Sequence, residues 1–125
     1  PGTVSRRMLP KLDGDIISEL TAGLVGGWGM VAVANNGDRN AICEAVHGCA
    51  PDIAGKGLAN PTAQMQSAVL MLAHIGEQDA SVRLQSSIFQ VYAEGKSLTG
   101  DVGGEATTAE FTQAIVDRAS KPAAA

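Results

Sequence analysis

Hydrophobic residues recur at helical spacing in four segments of the chain and follow a strand-like pattern in two others. The first helical segment runs from Asp15 to about Val25, where Asp13 can cap the start and Gly26-Gly27 can end the helix. Its apolar positions recur every three or four residues: Ile16, Ile17, Leu20, Leu24 and Val25. This spacing predicts a helix rather than a strand.

Two short apolar segments predict β-strands. Residues 28–33 and 41–46 are apolar and partly β-branched, and the turn cluster Asn35-Asn-Gly-Asp38 lies between them. Neither segment has an obvious partner strand elsewhere in the chain. Because unpaired strand edges are a liability, the sequence predicts two strands of an incomplete sheet.

Three further helices are predicted in the second half of the chain. One covers residues 61–75, with Asn60 as its N-cap, and the next covers Glu77 or Asp79 to Glu94. The last follows the capping box Thr107-x-x-Glu110 and continues through Ala119. Inward-facing positions are expected in the middle one of these three: Val82, Ile88, Phe89, Val91 and Tyr92.

Composition excludes several classes of partner. The 125 residues carry a formal net charge of −4 without a basic cluster, which argues against nucleic acid or an anionic membrane as a partner. The apolar run 22–34 is too short and too rich in glycine to span a bilayer, and the N-terminus shows no secretory segment. A cytoplasmic location, or the mitochondrial matrix in a eukaryote, is therefore the default expectation.

The two cysteines form a C-x3-H-x-C pattern with the nearby histidine, made by Cys43, His47 and Cys49. This supplies only three soft ligands in a flexible loop, whereas a structural zinc site usually takes four. Two incidental reduced thiols are the favoured interpretation.

Residues 44–62 contain the densest candidate chemistry. Glycines and a proline shape this loop, and His47 and Asp52 are its polar side chains able to read a nucleoside. The start of the following helix favours anionic groups. These features suggest a nucleotide-binding loop. A plain surface connection, with His47 as an ordinary capping or core histidine, is favoured from the residues alone, because short motifs often match by chance.

Asp15 and Glu19 lie at positions i and i+4, on one face of the first predicted helix. Two carboxylates in this arrangement can hold a hard divalent cation together with water and substrate oxygens. A solvated acidic face is the alternative, and spacing alone favours it.

The run from Glu44 to Ala63, EAVHGCAPDIAGKGLANPTA, resembles the coenzyme loop of the isocitrate/isopropylmalate dehydrogenase family. Residues 12–27 resemble the metal-binding helix of that family. Residues 95–111 resemble the C-terminal segment of its NAD-dependent isocitrate dehydrogenases. The likeness extends over roughly 9–118, with the three segments in the family's order.

The resemblance implies an α/β fold. The expected architecture is the C-terminal part of the isocitrate/isopropylmalate dehydrogenase fold, with about four helices and two or more strands of an incomplete mixed sheet. It places the metal-binding helix segment in residues 1–27, at the end of the small domain. Residues 28–119 would form the C-terminal part of the coenzyme-binding large domain, and 120–125 a tail.

For the coenzyme, the resemblance implies NAD. His47 matches the histidine that packs against adenine, and Asn60 matches a further adenine contact. Asp52 and Ile53 occupy the positions that choose the coenzyme, since a carboxylate accepts hydrogen bonds from ribose hydroxyls and repels a 2′-phosphate. The remaining implied coenzyme-binding residues shape the loop: Gly48, Ala50 and Pro51. Asp101 is a weaker candidate, because an acidic residue in a glycine-rich turn is usually a turn former.

For the metal, the resemblance implies Mg²⁺ or Mn²⁺. Asp15 matches a metal-binding aspartate, Glu19 stands where the family has a second aspartate, and Lys11 replaces an asparagine. The longer Glu19 side chain moves its carboxylate by about a methylene, which affects an ion that demands near-ideal geometry.

The reaction implied is NAD-dependent oxidative decarboxylation of a 2-hydroxy acid, isocitrate to 2-oxoglutarate and CO₂, in a homo- or hetero-oligomer. Isopropylmalate or tartrate remains an alternative substrate. The family's substrate-binding and acid–base residues have no counterpart in this chain, so the isolated 125 residues are expected to be inactive. The alternative is a truncated, non-catalytic nucleotide-binding or regulatory module of the same family.

Overall fold

Four α-helices and one β-hairpin make up residues 9–120, the part of the chain that this computed structural model describes. The elements are α1 (Lys11–Leu24), β1 (Ala32–Asn36), β2 (Ala41–Ala45), α2 (Thr62–His74), α3 (Gln78–Glu94) and α4 (Thr108–Ala119). Short 3₁₀ turns occupy Trp28–Met30, Pro51–Ile53 and Gly100–Val102. The predicted helix count and the α/β class are confirmed. Residues 121–125 of the predicted tail, and 1–8 of the predicted metal-binding segment, lie outside the described residues.

Helix α1 begins at Lys11, four residues earlier than predicted. Pro10 occupies the N-cap position without a side-chain cap, and Asp13 lies inside the first turn. Pro10 has a non-helical backbone, with a φ of −55° and a ψ of 151°, as N-cap residues typically do. An acidic residue in the first turn suits the helix dipole. The end matches the prediction, because Gly26 takes a φ of 115° immediately after the helix.

The two strands pair with each other, so the expectation that neither has a partner within the chain is wrong. They form an antiparallel hairpin in which Ala32 lies opposite Ala45 and Asn36 lies opposite Ala41. Strand β1 is also shifted from its predicted position. Residues 28–30 wind into a 3₁₀ turn after Gly27, whose φ of 103° interrupts extended structure. The hairpin turn then closes through a hydrogen bond from the Gly37 N–H to the Asn40 carbonyl, 2.8 Å long.

Helix α2 lies between the hairpin and α3, and α4 packs on α3. The hydrophobic core lies between these three helices. Its fully buried members are Val69, Ile88, Val91, Phe111 and Ile115. Since α2 contacts both the hairpin and the core, the loop before it is anchored on a packed helix.

Helix α3 buries a narrower face than predicted. Ile88 and Val91 are in the core, but Val82 and Phe89 are each 59% exposed, so the prediction that these two face inward is wrong. The buried stripe follows Ser81, Ile88 and Val91. Val82 and Phe89 each lie one residue further along, which turns them about 100° around the helix.

Helix α1 exposes an apolar stripe. Its residues at successive i, i+4 positions are all largely exposed: Leu12, Ile16, Leu20 and Leu24. Ala22 is the buried residue of this helix. Large exposed apolar patches are unusual on the surface of monomeric proteins. Separately, no helix within residues 9–120 is long and apolar enough to cross a membrane.

The capping box predicted at the start of α4 is confirmed. Thr107 donates its backbone N–H to Glu110 Oε2 at 2.8 Å, and the Glu110 N–H donates to Thr107 Oγ1 at 3.2 Å. Hydrogen bonds from the Thr107 backbone and hydroxyl hold the pKa of the Glu110 carboxyl below its ordinary value. Glu110 is therefore more acidic in the folded chain than in the unfolded one.

This lowered pKa predicts a loss of α4 stability in acid. The contribution is fully present above the unfolded pKa of about 4.3 and is lost as the pH falls through the folded pKa. Urea unfolding at several pH values measures this loss. The difference in the free energy of unfolding between the unsubstituted chain and Glu110→Gln should become smaller as the pH is lowered from 6 to 3. The matched control is Glu105→Gln, at an exposed position outside the helix. A gap that stays constant over this range would contradict the prediction.

Candidate functional site

The loop that joins β2 to α2 is an exposed surface, with every residue from 47 to 59 exposed to solvent. It leaves the hairpin at Val46, whose N–H donates to the Val31 carbonyl at 3.1 Å. Ala50 then takes a left-handed conformation with a φ of 40°, and Pro51 opens a 3₁₀ turn that carries Asp52 and ends at Ile53. A non-glycine residue at positive φ is uncommon, and it is often associated with a functional turn.

Both polar side chains predicted to read a nucleoside lie on this exposed loop. The Nδ1 atom of His47 is 2.9 Å from the Gly48 carbonyl oxygen, a contact in which a protonated Nδ1 donates. This contact orients the ring near the glycine turn. Asp52 lies in the first turn of the 3₁₀ segment and is exposed. An imidazole and a carboxylate are thus both accessible to solvent on this loop.

The end of the loop is fastened to the start of α4. Thr108 donates its backbone N–H to the Gly57 carbonyl at 2.8 Å, and its hydroxyl donates to the Ala59 carbonyl. Gly57 has a φ of 67°, a conformation that few other residues adopt. These bonds fix the loop backbone just before Asn60. Ala59 and Thr108 are 49 positions apart in the sequence, so the contact is long-range.

Asn60 is the half-buried residue of the loop, and its amide is bonded on both sides. Its Oδ1 accepts the Thr62 N–H at 3.0 Å. Pro61, and not Asn60, holds the N-cap position of α2, so the predicted N-cap is wrong by one residue, although the Asn60 side chain still bonds the first helical N–H. Its Nδ2 donates to Asp101 Oδ2 at 2.9 Å and to Tyr92 Oη at 3.1 Å. The Asn60 side-chain amide satisfies these partners in one orientation only, because its oxygen must face the Thr62 N–H and its nitrogen must face the two acceptors. We call these four residues the Asn60 network.

The Asn60 network is itself tied to the core. The Thr62 hydroxyl and Tyr92 Oη are 2.6 Å apart, and the Tyr92 hydroxyl is 3.2 Å from the sulfur of Met30. The Tyr92 ring meets Phe111 edge-on, with centroids 5.5 Å apart. The position of Asn60 therefore depends on α3, α4 and the 3₁₀ turn before the hairpin, as well as on its own loop.

The two candidate metal ligands lie exposed on α1. Lys11 Nζ is 2.7 Å from Asp15 Oδ2, and this ion pair joins exposed side chains four residues apart. The hydrogen bond to Asp15, with the carboxylate charge, raises the pKa of Lys11 above its ordinary value. Two exposed carboxylates can contribute to a Mg²⁺ site, since this ion is often held by one or two carboxylates and completes its shell with water. Lys11 competes with such a cation for Asp15.

Within residues 9–120, no three His, Cys, Asp or Glu side chains are grouped closely enough to hold a metal ion. Asp15 and Glu19 would therefore need further ligands from outside this part of the chain. The same finding applies to the C-x3-H-x-C pattern, whose Cys43 is half-buried on β2 and whose Cys49 is exposed on the loop.

Sequence reasoning identified the loop but overlooked the residues that hold it. Asp101 is predicted only as a weaker coenzyme candidate, and Tyr92 as an inward-facing ring. Thr99 and Thr108 belong to residues 95–111, which resemble the family but are given no structural role by the sequence. Because Asn60 and Asp101 are 41 positions apart, no local pattern connects them. The one local signal is Asn60 itself, whose amide nitrogen needs a hydrogen-bond acceptor.

The described residues form a layer of helices on a β-hairpin, with an exposed loop containing three glycines leading into α2, an arrangement of the α/β class. Residues 7–115 match the sequence model of the isocitrate/isopropylmalate dehydrogenases. The chain belongs to that family.

Three similar proteins illustrate the match. The chain is 54% identical over 111 residues to the mitochondrial isocitrate dehydrogenase [NAD] catalytic subunit 5 of Arabidopsis thaliana, covering 88% of the chain and 30% of that protein. It is 52% identical over 104 residues to the isocitrate/homoisocitrate dehydrogenase of Thermus thermophilus, covering 83% and 31%. The crystal structure of isocitrate dehydrogenase from Methylococcus capsulatus superimposes with a TM-score of 0.83 at 47% identity, covering 88% and 33%. The chain thus spans about a third of the length of these relatives.

Proposed function

We propose that the chain forms part of an NAD-dependent oxidative decarboxylase that converts isocitrate to 2-oxoglutarate and CO₂. In this proposal, residues 47–53 and Asn60 supply the adenosine side of the NAD site. Asp15 and Glu19 supply part of a Mg²⁺ or Mn²⁺ site. The main support for this proposal is the exposed loop, which presents His47 and Asp52 to solvent and is held at its end by the Asn60 network. The Arabidopsis relative is named as an NAD isocitrate dehydrogenase, which supports the choice of reaction.

The roles of the loop residues follow from their chemistry. His47 offers a flat ring on which adenine can stack. The Asp52 carboxylate accepts hydrogen bonds from the two ribose hydroxyls and repels a 2′-phosphate, so it selects NAD over NADP. When bound, NAD⁺ accepts the hydride, and the divalent ion stabilises negative charge on the substrate oxygen. The residues of this chain bind and orient; the acid–base chemistry belongs to residues that it does not contain.

Reversing the charge of Asp52 is the most informative test of the coenzyme loop. Asp52→Lys should weaken NAD⁺ binding by about 10- to 100-fold, because hydrogen bonds to a charged group contribute about 1.5–3 kcal/mol. NADP⁺ should bind the variant better than NAD⁺ does. Calorimetric titration of the purified chain with each coenzyme measures both effects.

Asp38→Lys is the matched control, since Asp38 is exposed in the hairpin turn and the substitution makes the same change in charge. It should leave NAD⁺ binding unchanged. Equal NAD⁺ affinity in the unsubstituted chain and in Asp52→Lys would reject the assignment of the coenzyme loop.

For the metal site, the ion pair between Lys11 and Asp15 leads to a second test. Lys11→Asn removes the competing cation, so Mg²⁺ should bind about twofold to fivefold more tightly, in line with the small contribution of exposed ion pairs. Titration with Mn²⁺, followed by electron paramagnetic resonance, measures the affinity. Lys56→Asn, a change at another exposed lysine, is the control. Identical affinity in the Lys11→Asn variant and the unsubstituted chain would count against Asp15 as a ligand.

The exposed stripe of α1 supports an assembly. Four large aliphatic side chains at i, i+4 spacing are left uncovered within residues 9–120: Leu12, Ile16, Leu20 and Leu24. Burial of such a face gains roughly 25 cal/mol per Å² of apolar surface. In this proposal, α1 is covered by further protein in a homo- or hetero-oligomer. The name of the Arabidopsis relative, a catalytic subunit, is in keeping with that expectation.

A non-catalytic nucleotide-binding or regulatory module of the same family is the second candidate. The observation that favours it is the Lys11–Asp15 ion pair, which places a cation where the first candidate needs a metal. Turnover of isocitrate with NAD⁺ and Mg²⁺ distinguishes the two in any assembly that includes the chain. The isolated 125 residues are expected to show none under either proposal.

A further inference from the structure

We propose that Asp101 is a positioning residue for the coenzyme loop and acts through Asn60. This inference rests on the proposed function, because it concerns the same NAD site. It begins from the bond between Asn60 Nδ2 and Asp101 Oδ2, which at 2.9 Å connects the end of the loop to the turn before α4.

The orientation of the Asn60 amide depends on a partner at its nitrogen side. Oδ1 can accept the Thr62 N–H only while Nδ2 points the other way, towards Asp101 and Tyr92. A carboxylate is the stronger of these two acceptors, since hydrogen bonds to charged groups are about twice as strong as neutral ones. Without Asp101, the amide nitrogen keeps only its weaker neutral acceptor, Tyr92 Oη, so the amide orientation and the bond to Thr62 are held less firmly.

Asp101 is in turn fixed from its other oxygen. The hydroxyl of Thr99 donates to Asp101 Oδ1 at 2.6 Å, and Thr99 is 0% exposed. The Thr99 carbonyl accepts N–H groups from Val102 at 3.2 Å and from Gly104 at 3.0 Å, which closes the turn around the aspartate. A buried residue therefore aims the carboxylate at Asn60.

This arrangement separates positioning from direct contact. Asp101 is exposed, and each of its carboxylate oxygens accepts a hydrogen bond within the chain, Oδ1 from Thr99 and Oδ2 from Asn60. These two bonds assign the carboxylate to holding the loop. Its effect on NAD⁺ passes through Asn60, whose side chain also accepts the Thr62 N–H and whose neighbour Ala59 is bonded through its carbonyl to the Thr108 hydroxyl.

A double-mutant cycle tests whether Asp101 affects NAD⁺ binding through Asn60. Asp101→Ala and Asn60→Ala should each weaken NAD⁺ binding about tenfold, the usual scale for losing one such hydrogen bond. Combined, the two substitutions should weaken it no more than Asn60→Ala alone, because both break the same connection. Asp101→Asn should restore affinity to within about threefold of the unsubstituted chain, since its amide oxygen can still accept from Asn60. Losses that multiply to about 100-fold would overturn the inference, as would full affinity in Asp101→Ala.

A second readout does not require coenzyme. Hydrogen exchange of the Thr62 amide, followed by NMR in the free chain, should be about tenfold faster in Asp101→Ala and close to normal in Asp101→Asn. Asp38→Ala, at the hairpin turn, is the control and should leave this amide unchanged. Unchanged exchange in Asp101→Ala would overturn the positioning role. A failure of the unsubstituted chain to bind NAD⁺ at all would instead overturn the proposed function, so the two failures are distinguishable.

Discussion

Replacing Phe111 by alanine is expected to lower the free energy of unfolding by about 3–5 kcal/mol, the range for deleting a large buried aromatic ring. Phe111 is 0% exposed at the centre of the core, beside Ile88 and Ile115, and its ring meets Tyr92 edge-on. Truncation leaves a cavity that the surrounding helices fill only partly. Urea unfolding followed by circular dichroism at 222 nm measures the change.

The chain supplies a matched control for this substitution. Phe89 is 59% exposed on the neighbouring helix, so Phe89→Ala should cost less than about 1 kcal/mol. Similar losses for the two variants would contradict the packing described for α3 and α4. Loss of the Phe111 ring should also disturb the Asn60 network, because Tyr92 packs on that ring and belongs to the network. A substitution in the core should therefore change the geometry of the loop as well.

Gly104→Ala is the second substitution with a large expected effect. A Cβ atom at this position would lie 1.9 Å from the carbonyl oxygen of Leu98 and 2.4 Å from its carbonyl carbon, so backbone has to move. That carbonyl accepts the Ala106 N–H at 2.9 Å, a bond that helps to hold the turn carrying Asp101. Unfolding measurements should show a loss of at least about 2 kcal/mol, from forced overpacking and a broken hydrogen bond.

Gly100→Ala is the control for this change, because a Cβ there meets nothing within 4 Å. It should alter stability by no more than about 1 kcal/mol. Because Gly104 closes the turn around Asp101, its substitution should also weaken NAD⁺ binding. An alanine at 104 that is tolerated as well as an alanine at 100 would contradict the close approach of the two backbone segments.

The helices were predictable because their signals are local. The capping box of α4 lies within four residues of sequence, and the glycine that ends α3 directly follows its last turn. The start of α2 was predicted to within one residue, because Asn60 and Pro61 directly precede it, although Pro61 and not Asn60 is its N-cap. The exact first residue of a helix was harder to predict from the sequence. Pro10 opens α1 without a polar cap, so the sequence offered no side-chain signal for its true start.

The predictions that were wrong concern features set by contacts between distant parts of the chain. Whether β1 pairs with β2 depends on register, and Asn35 and Asn36 belong to the strand because they lie opposite Ile42 and Ala41. Propensity alone puts these asparagines in a turn. The exposure of Val82 and Phe89 has the same origin, since the face that α3 buries is chosen by α2 and α4 and not by hydrophobicity alone.

The candidate site divides in the same way. The loop and its glycines, together with His47 and Asp52, form one continuous stretch and could be identified by their chemistry and family resemblance. The residues that hold the loop come from three other elements, at Tyr92, Asp101 and Thr108. Long-range hydrogen bonds of this kind leave no pattern in a single sequence, and a structure is needed to find them.

Titration of the ¹⁵N-labelled chain with NAD⁺ tests the central claim most directly. The amide resonances of Asn60 and of the non-proline residues among 47–53 should shift with increasing NAD⁺, and the shifts should saturate. NADP⁺ should produce smaller shifts at equal concentration. Shifts confined to other surfaces, such as the exposed face of α1, or no shifts at all at millimolar NAD⁺, would contradict the assignment of this loop to the adenosine half of the coenzyme.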